Sequence, residues 1–264
     1  MRLRVTSWNV NSVRLRLDSM RRFVAERQPD VLCLQETKVV DDGFPRAEIA
    51  AMGFPHSLVH GMKSYNGVAI FSRLPLEEAT TMGWCGKQDC RHAVARIAGI
   101  ELHNLYVPAG GDEPDPKINP KFAHKLKFLR ETTAWFKAKR TAERPMILVG
   151  DLNIAPLEND VWSHKQLLKV VSHTPVEVAH LSRLQQTVGW VDAVRNFVPE
   201  TEKLYSWWSY RNRDWAASDR GRRLDHVWIT APLKRGLIDH DVARAVRGWE
   251  PATDHVPVTA TLEV

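Results

Sequence analysis

The sequence predicts an α/β protein in which two packed β-sheets are flanked by helices, a four-layer sandwich. Short apolar runs of strand length alternate with longer segments whose apolar residues recur at helical spacing. The 264 residues show no internal repeat, low-complexity tract or clear linker, and 44% of them are hydrophobic. A chain of this length and composition can bury one sizeable core. We therefore expect a single domain that spans residues 1–264.

Strand and helix patterns follow one another along the first part of the chain. Residues 3–8 are typical of a strand, 15–27 of an amphipathic helix and 31–35 of a strand buried on both faces. Pro29 and Asp30 mark the turn between the last two. Further strands are predicted at residues 67–72, 100–106, 146–149, 204–210, 224–230 and 256–262.

A long helix is predicted before the strand at 146–149. Its apolar face contains Phe122, Leu126, Leu129, Thr133 and Phe136. The lysines of the same segment are expected to be solvated; they are Lys121, Lys125, Lys127, Lys137 and Lys139. Shorter helical segments are predicted around residues 160–170 and 176–188, and turn-rich loops at 41–45, 109–120 and 212–221.

Charge and cysteine content limit the compartment and the partners. The net charge of +6 suits a polyanionic partner, although many basic proteins bind none. The three cysteines give neither a disulfide framework nor zinc-ligand spacing. No secretory signal pattern opens the sequence, and no apolar run approaches the roughly 20 residues of a membrane span. We expect a cytoplasmic monomer without a membrane partner.

Polar side chains stand at the ends of several predicted strands. Asp254 and His255 precede the last strand, and Asp225 opens an earlier one. Strand-end residues of the same kind are Asn9, Glu36, Asp151 and Asn153. Each alone is explained as well by a capped strand end, but gathered together they predict a site for a metal ion and a phosphate. Asp151 and Asn153 are two apart on an expected extended segment and so should point to one side, unless they form an Asx turn.

Six short motifs then carry a family resemblance. They are SWNVN at 7–11, LQETK at 34–38, YVP at 106–108, GDLNI at 150–154, RLD at 223–225 and TDHVPV at 253–258. In this order, and over nearly the whole chain, the sequence resembles the exonuclease III family of apurinic/apyrimidinic endonucleases, most closely its bacterial branch. This family lies within the endonuclease/exonuclease/phosphatase superfamily.

The resemblance implies a function and a cofactor. We expect Mg²⁺-dependent cleavage of duplex DNA on the 5′ side of abasic sites, with Mn²⁺ as a substitute metal. A 3′-to-5′ exonuclease and 3′-end-cleaning activity are expected to accompany it. The alternatives are an exonuclease-dominant DNase, a phosphodiesterase or phosphatase for lipid or inositol phosphates, and a DNA-binding protein with an inactive site.

The resemblance also assigns roles to residues. Predicted metal ligands are Asn9, Glu36, Asp151, Asn153, Asp254 and His255. Predicted catalytic residues are Tyr106, Asp151, Asn153, Asp225 and His255. Asp151 would activate the attacking water or protonate the leaving group. Asp225 would hold His255 in its charged form beside the scissile phosphate.

Substrate contacts are expected from two further segments. Lys63, Tyr65 and Asn66 resemble a loop that touches the DNA backbone, whereas solvated loop residues are the alternative. Trp207 and Leu224 would form a pocket for a flipped-out abasic sugar, whereas an aromatic residue in a strand is usually part of the core.

The sequence departs from the family pattern at three places. Ala109 stands where Asn or Gln is common. Arg222 replaces a pocket Trp or Leu, so we expect a more polar pocket. The segment 173–177 also diverges, and the sequence offers no functional account of it.

Overall fold

Two six-stranded sheets form the centre of the computed structural model, which describes residues 1–212 and 214–264. The strands are β1 Arg2–Asn9, β2 Val31–Gln35, β3 His56–His60, β4 Val68–Ser72, β5 Glu77–Thr81, β6 His92–Ile97, β7 Ile100–Leu105, β8 Met146–Asp151, β9 Val191–Asp192, β10 Trp207–Trp208, β11 Gly221–Arg222, β12 Asp225–Ile229, β13 Leu237–Val242 and β14 Val258–Glu263. The α-helices are α1 Leu17–Arg27, α2 Arg46–Ala51, α3 Pro120–Lys139, α4 His164–Leu167, α5 Pro175–Thr187 and α6 Trp215–Ser218.

Both sheets mix parallel and antiparallel pairs. The first has the order β13-β14-β1-β2-β4-β3, and the second has the order β5-β6-β7-β8-β12-β9. A separate two-stranded ribbon joins β10 to β11. In the first sheet only β1 and β2 run parallel, and in the second only β7 and β8 do, among the described pairs.

The side chains of each central strand alternate between two cores. On β2, Val31 and Cys33 belong to the cluster between the sheets, whereas Leu32 and Leu34 pack on the outer side with α1. Leu148 and Trp228 of the second sheet face outward in the same way and pack against α3 and α5. Burial on both faces explains why these strands read as continuous apolar runs. The predicted four-layer α/β sandwich is therefore confirmed.

The two long outer helices begin at well-defined caps. The Asn119 side chain accepts hydrogen bonds from the backbone N–H groups of Lys121 and Phe122, and proline follows it at the first helical position. Thr174 and Glu177 form a reciprocal capping box at the start of α5. Lys125 lies on the buried side of α3 and is fully buried, so its predicted solvation is wrong.

Several predicted boundaries differ from the structure for local reasons. The predicted helix at 160–170 is reduced to the single turn of α4. The predicted strand at 204–210 is reduced to Trp207–Trp208, because β11 offers only two residues to pair with. The helix expected from residue 15 begins with a 3-10 turn at Arg14–Arg16. The exposed edge strand β5 has no large apolar residue to reveal it, and the loop predicted at 212–221 contains α6. Position 213 of that loop lies outside the described residues.

Strand pairing brings the polar strand ends to one edge of the molecule. Asn9 pairs with Gln35 at the end of the parallel β1–β2 pair, directly before Glu36. Asp151 pairs with Asp225 where β8 ends and β12 begins. Among the helices of the described residues, none has the length and apolar character needed to cross a membrane.

Candidate active site

Asn9 joins the two sheets at this edge. Its Nδ2 donates to Glu36 Oε1 at 3.0 Å and to Asp151 Oδ2 at 2.9 Å. One amide thus holds together a carboxylate from each sheet, and Asn9 itself is fully buried. The predicted convergence of strand-end residues is observed for these three.

Glu36 is held as an ionised carboxylate. Tyr106 donates from its hydroxyl to Oε1 at 2.8 Å, and Lys38 Nζ lies 2.8 Å from Oε2. Burial alone would raise the pKa of Glu36, but Lys38 and Asn9 outweigh that effect and lower it below its usual value. The backbone of Glu36 is left-handed, with φ of 52°, which turns the side chain out of the strand direction. Strain of this kind collects at functional sites.

Asp151 and Asn153 form an Asx turn. Asp151 Oδ1 accepts from the Asn153 backbone N–H at 2.9 Å, and Oδ2 accepts from Asn153 Nδ2 at 3.1 Å. Asn153 has a φ of 53°, so the extended segment that was predicted here is wrong, although the two side chains do meet. Burial raises the pKa of Asp151 to about 7, and the nearby charge of His255 offsets only part of this effect.

His255 faces a carboxylate on each side of its ring. Nδ1 lies 2.8 Å from Asp225 Oδ2, and Nε2 lies 3.7 Å from Asp151 Oδ2. Burial alone would lower the pKa of His255, but Asp225 and Asp151 outweigh it and raise the pKa well above 6.5. Ser206 fixes Asp225 by donating to Oδ2 at 2.7 Å. The imidazole is therefore protonated and oriented at neutral pH.

Asp151, Asp225 and His255 also have ligand atoms within 4.8 Å of one another, an arrangement that could hold a metal ion. Asp151 and His255 line an open cleft of about 800 Å³ together with Glu36 and Asp254. Asp254 is tied to the cleft wall because Trp207 Nε1 donates to its Oδ2 at 2.9 Å. Hard anionic oxygens and a charged imidazole thus share one solvent-accessible cleft.

Residues 6–255 match the model of the Endonuclease/Exonuclease/phosphatase family. The chain belongs to this family. It is 28% identical to exodeoxyribonuclease III of Haemophilus influenzae over 98% of this chain and 99% of that one. It is 29% identical to the DNA repair nuclease APEX1 of Danio rerio, over 99% of this chain and 83% of the relative.

A solved AP endonuclease from Archaeoglobus fulgidus superposes with a TM-score of 0.92 at 31% identity, over 99% of this chain and 100% of that one. A 3′ phosphatase from Neisseria bound to a product DNA hairpin superposes with a TM-score of 0.90 at 29% identity, with the same coverage. The predicted family and the predicted class of enzyme, a nuclease-type hydrolase, are confirmed.

The predicted pocket residues lie together on one wall of the family's cleft. Trp207 and Leu224 both line it. The guanidinium carbon of Arg222 lies 5.3 Å from the centre of the Trp207 ring. Ala109 lines the cleft as well.

The predicted DNA-contacting loop lies elsewhere. Lys63, Tyr65 and Asn66 do not line this cleft; Tyr65 is 70% exposed, and Asn66 Oδ1 accepts from Arg91 at 2.9 Å. Their contact with DNA stays a prediction.

A buried ion pair beneath the site was missed from the sequence. Lys125 Nζ lies 2.5 Å from Glu177 Oε1 and also donates to the backbone carbonyls of Asn153 at 2.8 Å and Ala109 at 3.1 Å. The two residues are 52 positions apart, so no local spacing reveals the pair. The Thr174-x-x-Glu177 pattern is a capping-box signal that could have located the start of the helix that supplies Glu177.

Proposed function

We propose that this protein is a Mg²⁺-dependent DNA phosphodiesterase that cleaves duplex DNA on the 5′ side of abasic sites and processes 3′ ends. The observation that carries the proposal is the row of groups in one open cleft: Asn9 joins Glu36 to Asp151, and His255 Nε2 lies 3.7 Å from Asp151 Oδ2. The pKa directions agree with this arrangement, since that of Glu36 is lowered and that of His255 is raised. A phosphodiester is anionic and gains further charge during hydrolysis, so it needs positive groups beside an activated water. The similarity to exodeoxyribonuclease III, a DNA repair nuclease and an AP endonuclease supports DNA as the substrate.

The residues present suit a hard divalent cation. Glu36 supplies an ionised carboxylate in the cleft, and Asp151 supplies a second carboxylate on the other side of Asn9, whose Nδ2 donates to both. Asn9 stays a candidate ligand through Oδ1, which accepts from the Asn11 backbone N–H at 3.1 Å. Mg²⁺ prefers one or two carboxylates and completes its shell with water and phosphate oxygens, and Mn²⁺ accepts the same ligands. Asp254 and Asn153 stay candidate ligands at the edge of this set. When bound, the metal would stabilise negative charge on a phosphate oxygen.

The protein's own groups divide the remaining chemistry. We assign His255 to the phosphate rather than to the metal, because a protonated imidazole has no free lone pair for a ligand bond. Asp225 accepts its Nδ1–H and keeps Nε2–H directed into the cleft. Asp151 is the group able to take a proton from the attacking water. Asn153 orients the Asp151 carboxylate through the Asx turn. Burial raises the pKa of Tyr106 well above 10, so its hydroxyl keeps its proton and holds Glu36.

Substrate choice would come from the cleft wall. An abasic sugar has no base to unstack and fits between Trp207 and Leu224. A second candidate, 3′-end processing as the main activity, is favoured by the charged Arg222 on the same wall. All three cysteines are free, which supports a reducing, cytoplasmic location, and we propose that the protein acts there as a monomer.

The test uses matched duplexes with an internal abasic site, a 3′ phosphate or a recessed 3′ end, each with and without Mg²⁺. We expect metal-dependent cleavage of all three. Glu36→Ala should abolish turnover at low Mg²⁺, whereas Glu48→Ala, an exposed carboxylate on α2, should not. Trp207→Ala should lower abasic-site incision more than removal of normal 3′ nucleotides. Metal-independent cleavage, or equal loss in both Glu variants, would contradict the assignment.

A further inference from the structure

Arg222 lies on the cleft wall next to the catalytic groups, in one cross-strand row with Trp207 and His255. Arg222 on β11 is the direct cross-strand partner of Trp207, and Trp207 is in turn bridged to His255. Residues directly opposite on antiparallel strands project from the same face. With about 5 Å between opposed Cα atoms, Arg222 stands roughly 10 Å from His255 along this row.

The guanidinium of Arg222 is oriented by contacts on one side only. Nη1 donates to the Val171 carbonyl at 3.0 Å and to Ser172 Oγ at 2.8 Å. The guanidinium lies over the Trp207 ring, which limits its rotation. Nε is buried without a partner. Nη2 is not among the buried unpartnered atoms and forms no hydrogen bond with any described residue, so it faces the cleft.

The positive charge of Arg222 is not balanced locally. Within the described part of the chain, no carboxylate comes within 4.0 Å of its guanidinium; the ion pairs nearby belong to other residues. Glu177 is the acid that acts on Arg222 electrostatically, but it is already paired with Lys125 at 2.5 Å. Lys125, Glu177 and Arg222 therefore carry a net charge of +1, since a guanidinium does not lose its proton in proteins. A half-buried cation of this kind favours an anion from outside the protein.

The divergent segment 173–177 builds the support of this arginine. The Ser172 backbone N–H donates to both oxygens of Glu177 at 3.0 Å, and Thr174 donates from its backbone N–H and its hydroxyl to Oε2. The buried Lys125–Glu177 pair thereby fixes Ser172, and Ser172 accepts from Arg222. These contacts hold the Arg222 guanidinium in one position at the cleft wall.

We propose that Arg222 determines substrate specificity by binding an oxyanion, namely the negatively charged group that follows the scissile phosphate on its 3′ side. This inference rests on the proposed function, because His255 and Glu36 define where the scissile phosphate lies. Two groups of the substrate can supply this oxyanion, and both present negatively charged oxygens. It is the next phosphate when the strand continues beyond an abasic sugar, or a terminal carboxylate when a damaged 3′ end carries one.

The experiment compares substrates that differ by one charge. The first pair is an abasic duplex whose next phosphate is either natural or a neutral methylphosphonate. The second pair is a 3′ phosphate esterified either with glycolate or with its neutral amide. The ratio of kcat/KM, charged over neutral, is measured for the wild type, Arg222→Met and Arg222→Lys. Arg235→Met, which removes an exposed arginine following the opposite end of β12, is the charge-matched control.

We expect the wild type and Arg235→Met to prefer the charged member of at least one pair by about ten- to a hundred-fold, the worth of a hydrogen bond between charged groups. Arg222→Met should bring that ratio to about one, and Arg222→Lys should give an intermediate ratio because it keeps the charge but loses the planar fork. The pair that responds identifies the source of the oxyanion.

A ratio near one in the wild type, or a ratio unchanged in Arg222→Met, would overturn the inference. Metal-free binding of the same duplexes, followed by fluorescence anisotropy, gives the charge ratio independently of turnover. A wild type that binds with the charge preference but cleaves nothing would refute the proposed function and leave the role of Arg222 standing. Thermal melting checks the fold of each variant, and if Arg222→Met fails to fold, the ratio of Arg222→Lys decides.

Discussion

At the scale of single residues, Asp151 and His255 form a pair whose protonation states depend on each other. They lie 3.7 Å apart, and burial raises the pKa of Asp151 to about 7 while Asp225 keeps His255 charged. An acid that titrates near neutrality beside a fixed cation is able to accept a proton and return it within one catalytic cycle. Apparent pKa values of such a group belong to the cluster and are best identified by substitution.

Asp151→Asn is expected to lower kcat by about a hundred-fold or more while leaving DNA affinity nearly unchanged, because its role lies in the transition state. If the ionised form of Asp151 takes the proton of the attacking water, the wild-type kcat rises with pH through about 7, and the Asn variant loses that rise. Single-turnover cleavage over a pH series, with binding measured separately, checks both points. A wild-type rate that falls through the same range would instead make Asp151 the acid that protonates the leaving group.

The sequence predicts those site residues that directly precede or follow a predicted strand. Glu36, Asp151 and Asp225 each adjoin a strand that the apolar pattern marks, so their convergence follows from sheet geometry. The sequence allowed an Asx turn at Asn153 but could not favour it over an extended segment, because Asn tolerates both extended and left-handed backbone. Lys125 could not be assigned either, since its partner is fixed only when α3 and α5 pack together.

At the scale of elements, ion pairs connect the outer helices to the rest of the protein. Lys125 on α3 meets Glu177 on α5, and Glu101 on β7 meets Arg140 and Arg144 just after α3. Periodicity located both long helices, but it could not show which charged residue turns inward. Short elements such as α4 and β10 depend on their neighbours for hydrogen bonds, so local sequence does not fix their ends.

Lys125→Met should destabilise the protein by about 3 kcal/mol, because it leaves a buried carboxylate without its cation. Lys127→Met on the same helix is the matched control; its side chain is 50% exposed and lies 3.6 Å from Glu131, so its loss should cost at most about 0.5 kcal/mol. Urea unfolding of both variants measures the difference. The double variant Lys125→Met with Glu177→Gln should recover part of the loss. Equal stability of the two single variants would show that the buried pair contributes nothing.

The lowered pKa of Glu101 predicts how the stability of the protein changes in acid. Burial alone would raise the pKa of Glu101, but hydrogen bonds from His103 and Arg140 outweigh it and lower the pKa to about 2. An unfolded Glu titrates near about 4.3, so the stabilisation is present above that pH and is lost as the pH falls toward 2. Glu101→Gln should therefore be less stable at neutral pH and should lose less stability than the wild type between these two values. Unfolding free energies at several pH values, with the exposed Glu48→Gln as control, test this; parallel pH curves for Glu101→Gln and the wild type would exclude the assignment.

At the scale of the whole molecule, the catalytic cleft depends on how the two sheets are held against each other. The continuous apolar runs of the central strands predict sheets that are covered on both faces, but they do not predict how the two sheets are placed against each other, which buried polar side chains help to fix. Asn104 on β7 donates to the carbonyls of Leu34 and Ala69 in the other sheet, each at 2.9 Å. Gln35 Nε2 donates back to Asn104 Oδ1 at 2.8 Å. This polar contact lies one residue before Glu36, so the same bonds that join the sheets also anchor the start of the site.

Asn104→Leu should therefore affect stability and activity together. Leu has a similar size but removes three buried hydrogen bonds, to the carbonyls of Leu34 and Ala69 and from Gln35 Nε2, which at about 1 kcal/mol each should cost about 3 kcal/mol. The loss should also displace Glu36, which follows Gln35 directly, and so raise the Mg²⁺ concentration needed for half-maximal cleavage. Asn159→Leu is the control, since the Asn159 side chain makes an exposed hydrogen bond to Glu200 that does not connect the two sheets. Chemical denaturation and a Mg²⁺ titration of cleavage are measured on both variants, well below the unfolding midpoint. If Asn104→Leu is destabilised but needs no more Mg²⁺ than the control, the contact holds the sheets together without positioning Glu36.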